Sequence, residues 1–169
     1  MKKNKIIRYV SQNSGGGARI HCYQINSILE EESFDTTTFI PGWDALDKYT
    51  SSSEIKLRYF NKFNVLTVFL YILRLRNEVL FLHSHLKKAD VVFYFFSCVL
   101  RLKQVITVHY PYQKKDSKAI IFWLHRRALL RASKVVFISQ FVKDDCLKIY
   151  GLKDGSNFEV VNNASEEIC

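Results

Sequence analysis

The sequence predicts a doubly wound α/β fold, a mostly parallel sheet with helices on both faces. Three observations lead there. Short apolar runs of strand length alternate with longer stretches of helical periodicity along the whole chain. Glycine and proline are scarce, six and two residues in 169, which excludes a collagen-like repeat and a Gly/Pro-rich all-β module. Apolar residues make up 48% of the chain, which excludes intrinsic disorder. A chain of this length buries roughly 70% of the surface its unfolded form exposes, enough for one domain with a true core.

The elements follow in order. Lys5–Val10 (KIIRYV) is a buried strand, Ser11–Gly17 (SQNSGGG) a loop, and Ala18–Glu32 a helix with Ala18, Cys22, Ile25 and Leu29 on one stripe. Asp35–Ile40 is a second strand, closed by Pro41-Gly42. After a loop at Thr50–Ser53, Ile55–Phe60 alternates as a third strand. Asn61–Asn77 is a long, very apolar helix, and Val79–His83 a strand. Leu86–Lys103 is ambiguous: Ala89–Phe96 (ADVVFYFF) has strand-like residues, yet it must link two parallel strands, which favours a buried helix. Val105–His109 is a strand, Ser117–Ala132 a helix and Lys134–Ser139 a strand. Gln140–Tyr150 is a helix ending at Gly151, and Phe158–Val161 a last strand. The chain has no internal repeat and no low-complexity segment.

With 25 basic and 16 acidic residues the net charge is +9, which favours polyanionic partners without choosing among nucleic acid, an anionic membrane face and phosphate-bearing substrates. The basic clusters are scattered and no RNA-recognition motif accompanies them, so nucleic acid is not expected. The four cysteines, Cys22, Cys98, Cys146 and Cys169, are far apart, which argues against a disulfide framework or a zinc site and for a reducing compartment. The apolar stretch after the basic N-terminal residues is too short for a signal peptide, so none is expected, and the longest apolar runs fall short of the ~18 residues of a spanning helix. A cytoplasmic protein is expected, peripheral on the inner membrane face if the helix at Asn61–Asn77, which runs into Arg74 and Arg76, lies in an anionic interface rather than in the core.

In doubly wound sheets ligands bind beyond the carboxyl ends of the strands. This sequence places there Ser-Gln-Asn-Ser-Gly-Gly-Gly, then His83-Ser84-His85, His109-Tyr110, Ser139-Gln140 and Asn162-Asn163. Three of five histidines fall on that one rim. Gly15, Gly16 and Gly17, between a strand and a helix, suit the approach of a phosphate or substrate better than a mere packing turn, although the run is neither Gly-x-Gly-x-x-Gly nor a P-loop. His109 fits a donor to a sugar hydroxyl or phosphate, a general base, or a histidine satisfied at a strand edge. His83 and His85 point the same way; as polar rim residues they need no ligand, and a metal would need a third group that the nearby sequence does not supply. His21 and His125 read as surface or packing residues.

Taken in order, these rim residues resemble the N-terminal domain of a GT-B glycosyltransferase of the large retaining family 4. Members open with a strand and a Ser-Gly-Gly-rich loop into a helix, similar to Ser14–His21. They carry a strand ending in His-x-His, as at His83–His85, and a Thr-Val-His strand end, as at Thr107–Tyr110. An Arg-Ala-Asp-x-Val-Ile-x-Val-Ser pattern matches Arg131–Ser139, and a Pro-Asn-Gly-Val-Asp segment corresponds to Asn162–Glu166, where Asn162 and Ala164 replace the usual Pro and Gly. The resemblance covers nearly the whole chain.

It implies a single Rossmann-like domain over residues 1–169, one half of a GT-B fold. It also implies sugar transfer from a nucleotide-sugar donor to a glycan or lipid-linked acceptor in polysaccharide biosynthesis, with retention, without a metal and without a cofactor. His109 would be the catalytic histidine at the transferred sugar. Gly15, Gly16, Gly17, His85, Ser139 and Asn163 would bind substrate. The family's donor site lies in a C-terminal domain absent from these 169 residues, so activity would need that domain or a partner subunit. The alternative is a stand-alone flavodoxin-like module that binds a phosphorylated ligand.

Overall fold

The computed structural model describes residues 4–11, 25, 28–29, 31–41, 57–60, 65–110 and 119–162. Seven strands and four helices have defined bounds: β1 (Lys5–Val10), β2 (Asp35–Pro41), β3 (Leu57–Phe60), α1 (Val65–Leu75), β4 (Val79–His85), α2 (Lys87–Leu100), β5 (Gln104–Val108), α3 (Ala119–Arg131), β6 (Lys134–Phe137), α4 (Gln140–Tyr150) and β7 (Phe158–Val160). Residues 25, 28, 29 and 31, between β1 and β2, are helical as well.

All seven strands are parallel, in the order β3-β2-β1-β4-β5-β6-β7. The chain builds outward from β1 to β3, crosses back to β4 on the other side of β1, and builds outward again to β7. The strand order therefore reverses between β1 and β4, the switch point of a doubly wound sheet. Parallel strands covered on both faces carry apolar runs rather than alternation, and β1 is buried from Ile6 to Val10.

The two faces differ in chemistry. One carries Ile7, Tyr9, Phe39 and Leu82, against which α1 sets Val68 and Ile72, and α2 sets Ala89, Phe93 and Phe96. Farther along, Ile106, Val108, Val135 and Phe137 meet Ala128 and Leu129 of α3 and Val142, Cys146 and Tyr150 of α4. The other face carries Arg8, His83, Val105 and Thr107. Ile25 of the segment after β1 lines a cavity of about 130 Å³ there, together with His83, Thr107, Val136 and Ile138. Helical residues thus lie on both faces.

Leu86–Lys103 resolves as helix α2, whose Phe93 packs on Tyr9 and whose Phe96 packs on Phe69 of α1. β4 runs two residues beyond the expected His83, because Ser84 and His85 continue the ladder to Tyr9 and Val10 on one side and to Ile106 and Thr107 on the other. β6 stops at Phe137 instead of Ser139, since Ser139 turns to cap α4. A single residue, Leu86, joins β4 to α2, at φ +79° and ψ 143°. That backbone region costs a non-glycine residue on the order of 1–3 kcal/mol. Leu86 is held there by burial against Val10 and by its carbonyl, which accepts the Asp90 N–H at 3.0 Å.

Helix α1 is a core helix on one side and exposes apolar side chains on the other. Val68 and Ile72 are core, while Leu66 and Leu70 are 67% and 52% exposed and Leu73 stands exposed one turn on. No helix among the described residues is long and apolar enough to cross a membrane.

Candidate active site

The site begins where β1 and β4 end side by side, with Val10 in register with His85. The segment that starts at Ser11 leaves β1 at this point, His85 is the last residue of β4, and His109 follows immediately on β5. The strand pairings bring His85 and His109 to one place although 24 residues separate them: His85 lies opposite Thr107, and the next residue on the same face is His109. His85 Nδ1 and His109 Nε2 are 2.8 Å apart, a hydrogen bond between two imidazoles. Their ring centroids are 5.2 Å apart. His109 is half-buried, whereas His85 is fully buried.

Behind this pair lies a second layer. Arg8, in the middle of β1 and in register with His83, is fully buried. Its guanidinium reaches His83 Nδ1 from Nε at 3.3 Å and from Nη2 at 3.1 Å. Guanidinium nitrogens only donate, so His83 Nδ1 accepts and bears no proton. The proton of this ring sits on Nε2, which donates to Thr107 Oγ1 at 2.8 Å. His83 in turn stacks on His85 with centroids 4.3 Å apart. A buried charge is tolerated only when its donors are satisfied, and here His83 supplies an acceptor.

Of the residues expected to form the site, the structure brings His85 and His109 together and sets Ser139 on the adjacent strand end, where the Ile138 N–H donates to the Val108 carbonyl at 3.3 Å. Ser139 is the N-cap of α4, its hydroxyl accepting from the Val142 N–H at 3.3 Å. Gly15, Gly16, Gly17 and Asn163 lie outside the described residues, as does His21. His83 and His85 are interior groups rather than the polar rim residues their sequence position suggested. Among the described residues, no three His, Cys, Asp or Glu side chains group as metal ligands.

Sequence reasoning missed Arg8, hidden in the apolar run KIIRYV; an arginine amid five strand residues with no acidic neighbour was the available signal. It also missed a second buried group, on the sheet face that α1–α4 cover. Asp90 of α2 contacts His125 Nε2 of α3 through Oδ2 at 2.9 Å, and His125 Nδ1 lies 2.8 Å from the Tyr150 hydroxyl of α4. Both Asp90 and His125 have no exposed surface. Burial pushes the Tyr150 phenol well above its ordinary value, with Cys146 and Asp90 adding to the effect. The phenol therefore stays protonated and donates to Nδ1, while Nε2–H donates to the carboxylate. Burial likewise pushes the Cys146 thiol up to about 12, reinforced by Asp145 and Asp90.

The model of the family described as Glycosyltransferase Family 4 matches residues 15–164. No curated protein matches the chain. Among solved structures, the chain is similar to Anabaena HepE in complex with UDP, at 16% identity and a TM-score of 0.78, covering 95% of this chain and 44% of that one. It is similar to the lipopolysaccharide outer core galactosyltransferase WaaB at 15% identity and a TM-score of 0.68, covering 95% and 46%. A third similarity is to MurG of Acinetobacter baumannii, at 10% identity and a TM-score of 0.60, covering 97% and 47%. At these identities the likeness is one of fold, and the chain spans less than half the length of each of these structures.

Proposed function

The chain belongs to glycosyltransferase family 4, and from that premise we propose that it forms the acceptor-side, N-terminal half of an enzyme that transfers a sugar from a nucleotide-sugar donor to a glycan or lipid-linked acceptor. The observation that carries this reading is the His85–His109 pair at the β1/β4 switch point, where a doubly wound sheet binds its ligand. HepE was solved in complex with UDP-glucose, and a nucleoside diphosphate sugar is accordingly the donor class assigned here.

In this reading His109, the half-buried member of the pair, contacts the transferred sugar at the mouth of the crevice. Ser139 and Asn163 are assigned to substrate binding, and Gly15, Gly16 and Gly17 to the approach of phosphate or acceptor. Transfer is taken to proceed with retention and without a metal, by attack on the face that the leaving group departs, so no side chain is assigned as general base. The remaining donor contacts come from a second domain or a partner subunit. The stand-alone phosphate-binding module is set aside, because the family match extends over residues 15–164.

A cytoplasmic location at the inner membrane face fits the exposed apolar edge of α1, where Leu66, Leu70 and Leu73 run into Arg74. Flotation with phosphatidylglycerol vesicles should carry the protein, phosphatidylcholine vesicles should not, and Leu66→Glu with Leu70→Glu should abolish flotation. No flotation with phosphatidylglycerol vesicles would remove the membrane assignment. The transferase reading itself is tested by incubating the full-length enzyme with radiolabelled UDP-glucose or UDP-galactose and a lipid extract. Label moving into the lipid or polysaccharide fraction is the expected result; a protein that consumes no nucleotide-sugar with any acceptor fraction would contradict it.

A further inference from the structure

We propose that His85 is a positioning residue for His109: it fixes the ring orientation and proton placement of the working histidine, and is itself locked by the Arg8–His83–Thr107 clamp. The kinetic part of this proposal rests on the transferase reading above; the structural part does not.

Arg8 anchors the arrangement. Its two donors at His83 Nδ1 leave that ring one permissible neutral form, with the proton on Nε2 directed to Thr107 Oγ1. A histidine whose two nitrogens are engaged by an arginine and a threonine can neither flip nor change tautomer without breaking a buried hydrogen bond. That fixed ring is the surface on which His85 stacks, 4.3 Å between centroids and tilted by 37°. A further constraint on His85 is covalent. It stands at the last position of β4, one residue before the strained turn at Leu86, so backbone movement that would rotate it is opposed by the strand ladder and by the turn.

His85 thus offers His109 a nitrogen in a set place. There is room for one proton between Nδ1 of His85 and Nε2 of His109; in this proposal it stays on one of the two rings, and in either arrangement the Nε2 edge of His109 is directed inward and its ring plane is defined. With no exposed surface, His85 does not reach a substrate in the crevice directly; its influence passes through His109. Reacting groups must be held to within about 0.5 Å of productive geometry, and supporting side chains with locked rotamers provide this.

The test uses three forms of the protein: wild type, His85→Phe, which keeps an aromatic ring on the His83 stack but cannot hydrogen-bond, and His85→Asn, whose amide can place a polar atom near the position of Nδ1. Long-range 1H–15N spectra of the histidine side chains read the proton placement of His109 without any substrate. The wild type should show one fixed tautomer for His109, His85→Phe an averaged pair of tautomers, and His85→Asn a fixed one again. In UDP release from UDP-glucose by the full-length enzyme, His85→Phe should lower kcat by about 10–100-fold with KM changed less than about twofold, and His85→Asn should recover most of it.

A fixed and unchanged His109 tautomer in His85→Phe would overturn the proposal, whatever the kinetics. So would wild-type kcat in His85→Phe. If His85→Phe does not fold, the wild-type spectrum and His85→Asn decide: averaged tautomers of His109 in the wild type also overturn it. A wild-type enzyme that releases no UDP from UDP-glucose counts against the transferase reading with that donor, and the spectra then decide the role of His85 on their own.

Discussion

The two buried histidine groups lie on opposite faces of one sheet and illustrate two uses of the same side chain. On the face that α1–α4 cover, His125 is enclosed by α2, α3 and α4, and both of its nitrogens end on groups from other helices, the Asp90 carboxylate and the Tyr150 hydroxyl. No edge of that ring reaches solvent. On the opposite face, His83 is nearly as enclosed, but the line it begins runs outward, through His85 to the half-buried His109 at the strand ends. The first arrangement ties three helices together and terminates. The second continues to the strand ends, where the proposed site lies. A histidine paired with a carboxylate inside a core is therefore read as architecture, and a half-exposed histidine supported from behind by a buried polar chain is read as a working group.

Substitutions at the two groups should separate stability from activity. The largest expected effect is at the closed group. His125→Ala leaves the Asp90 carboxylate buried without this partner, which should cost about 3–5 kcal/mol, and any activity lost should track the unfolded fraction. Urea unfolding measures it, and a cost below about 1 kcal/mol would mean that the two faces are not as different as described. Thr107→Val removes the acceptor of His83 Nε2–H while keeping shape. The expected cost is about 1–3 kcal/mol, together with a loss of kcat beyond what unfolding explains, because the clamp behind His85 loosens. An unchanged melting temperature would contradict the hydrogen-bond assignment.

A smaller effect concerns pH. Cys146, beside the closed group, has its thiol raised from 9.0 to about 12, chiefly by burial. The native state then keeps a proton that the unfolded chain releases near pH 9, so the contribution is complete below pH 9 and is lost as pH rises towards about 12. The slope should reach about 1.4 kcal/mol per pH unit, and Tyr150, also raised, adds to it above pH 10. Urea midpoints should fall between about pH 8 and about pH 10.5 in the wild type and fall less in Cys146→Ala. Identical midpoints at both pH values would show that the thiol is not shielded as described.

These contrasts also mark what was legible in the sequence. The alternation of apolar runs located each of the described strands, and the rule that ligands gather at strand carboxyl ends singled out His85, His109 and Ser139. Element ends were less legible, since they depend on pairing: β4 reaches His85 only because β1 and β5 continue beside it. Arg8 was illegible because its partner lies 75 residues away, brought into reach by strand register alone. The Asp90–His125–Tyr150 group was hidden for the same reason, three residues from three helices with no local pattern joining them. Gly15, Gly16, Gly17 and Asn163 belong to the expected site and lie outside the described residues.

The most direct test pairs the two faces in one experiment, with His109→Ala and His125→Ala of the full-length enzyme compared for sugar transfer and for melting temperature. His109→Ala leaves the buried His85 without this partner and should melt somewhat lower, by far less than His125→Ala, yet transfer sugar at least about 100-fold more slowly. His125→Ala should melt far lower and, at a temperature where it remains folded, transfer at close to the wild-type rate. Wild-type turnover in His109→Ala would contradict the assignment of the working histidine, and with it the placement of the active site at the β1/β4 switch point.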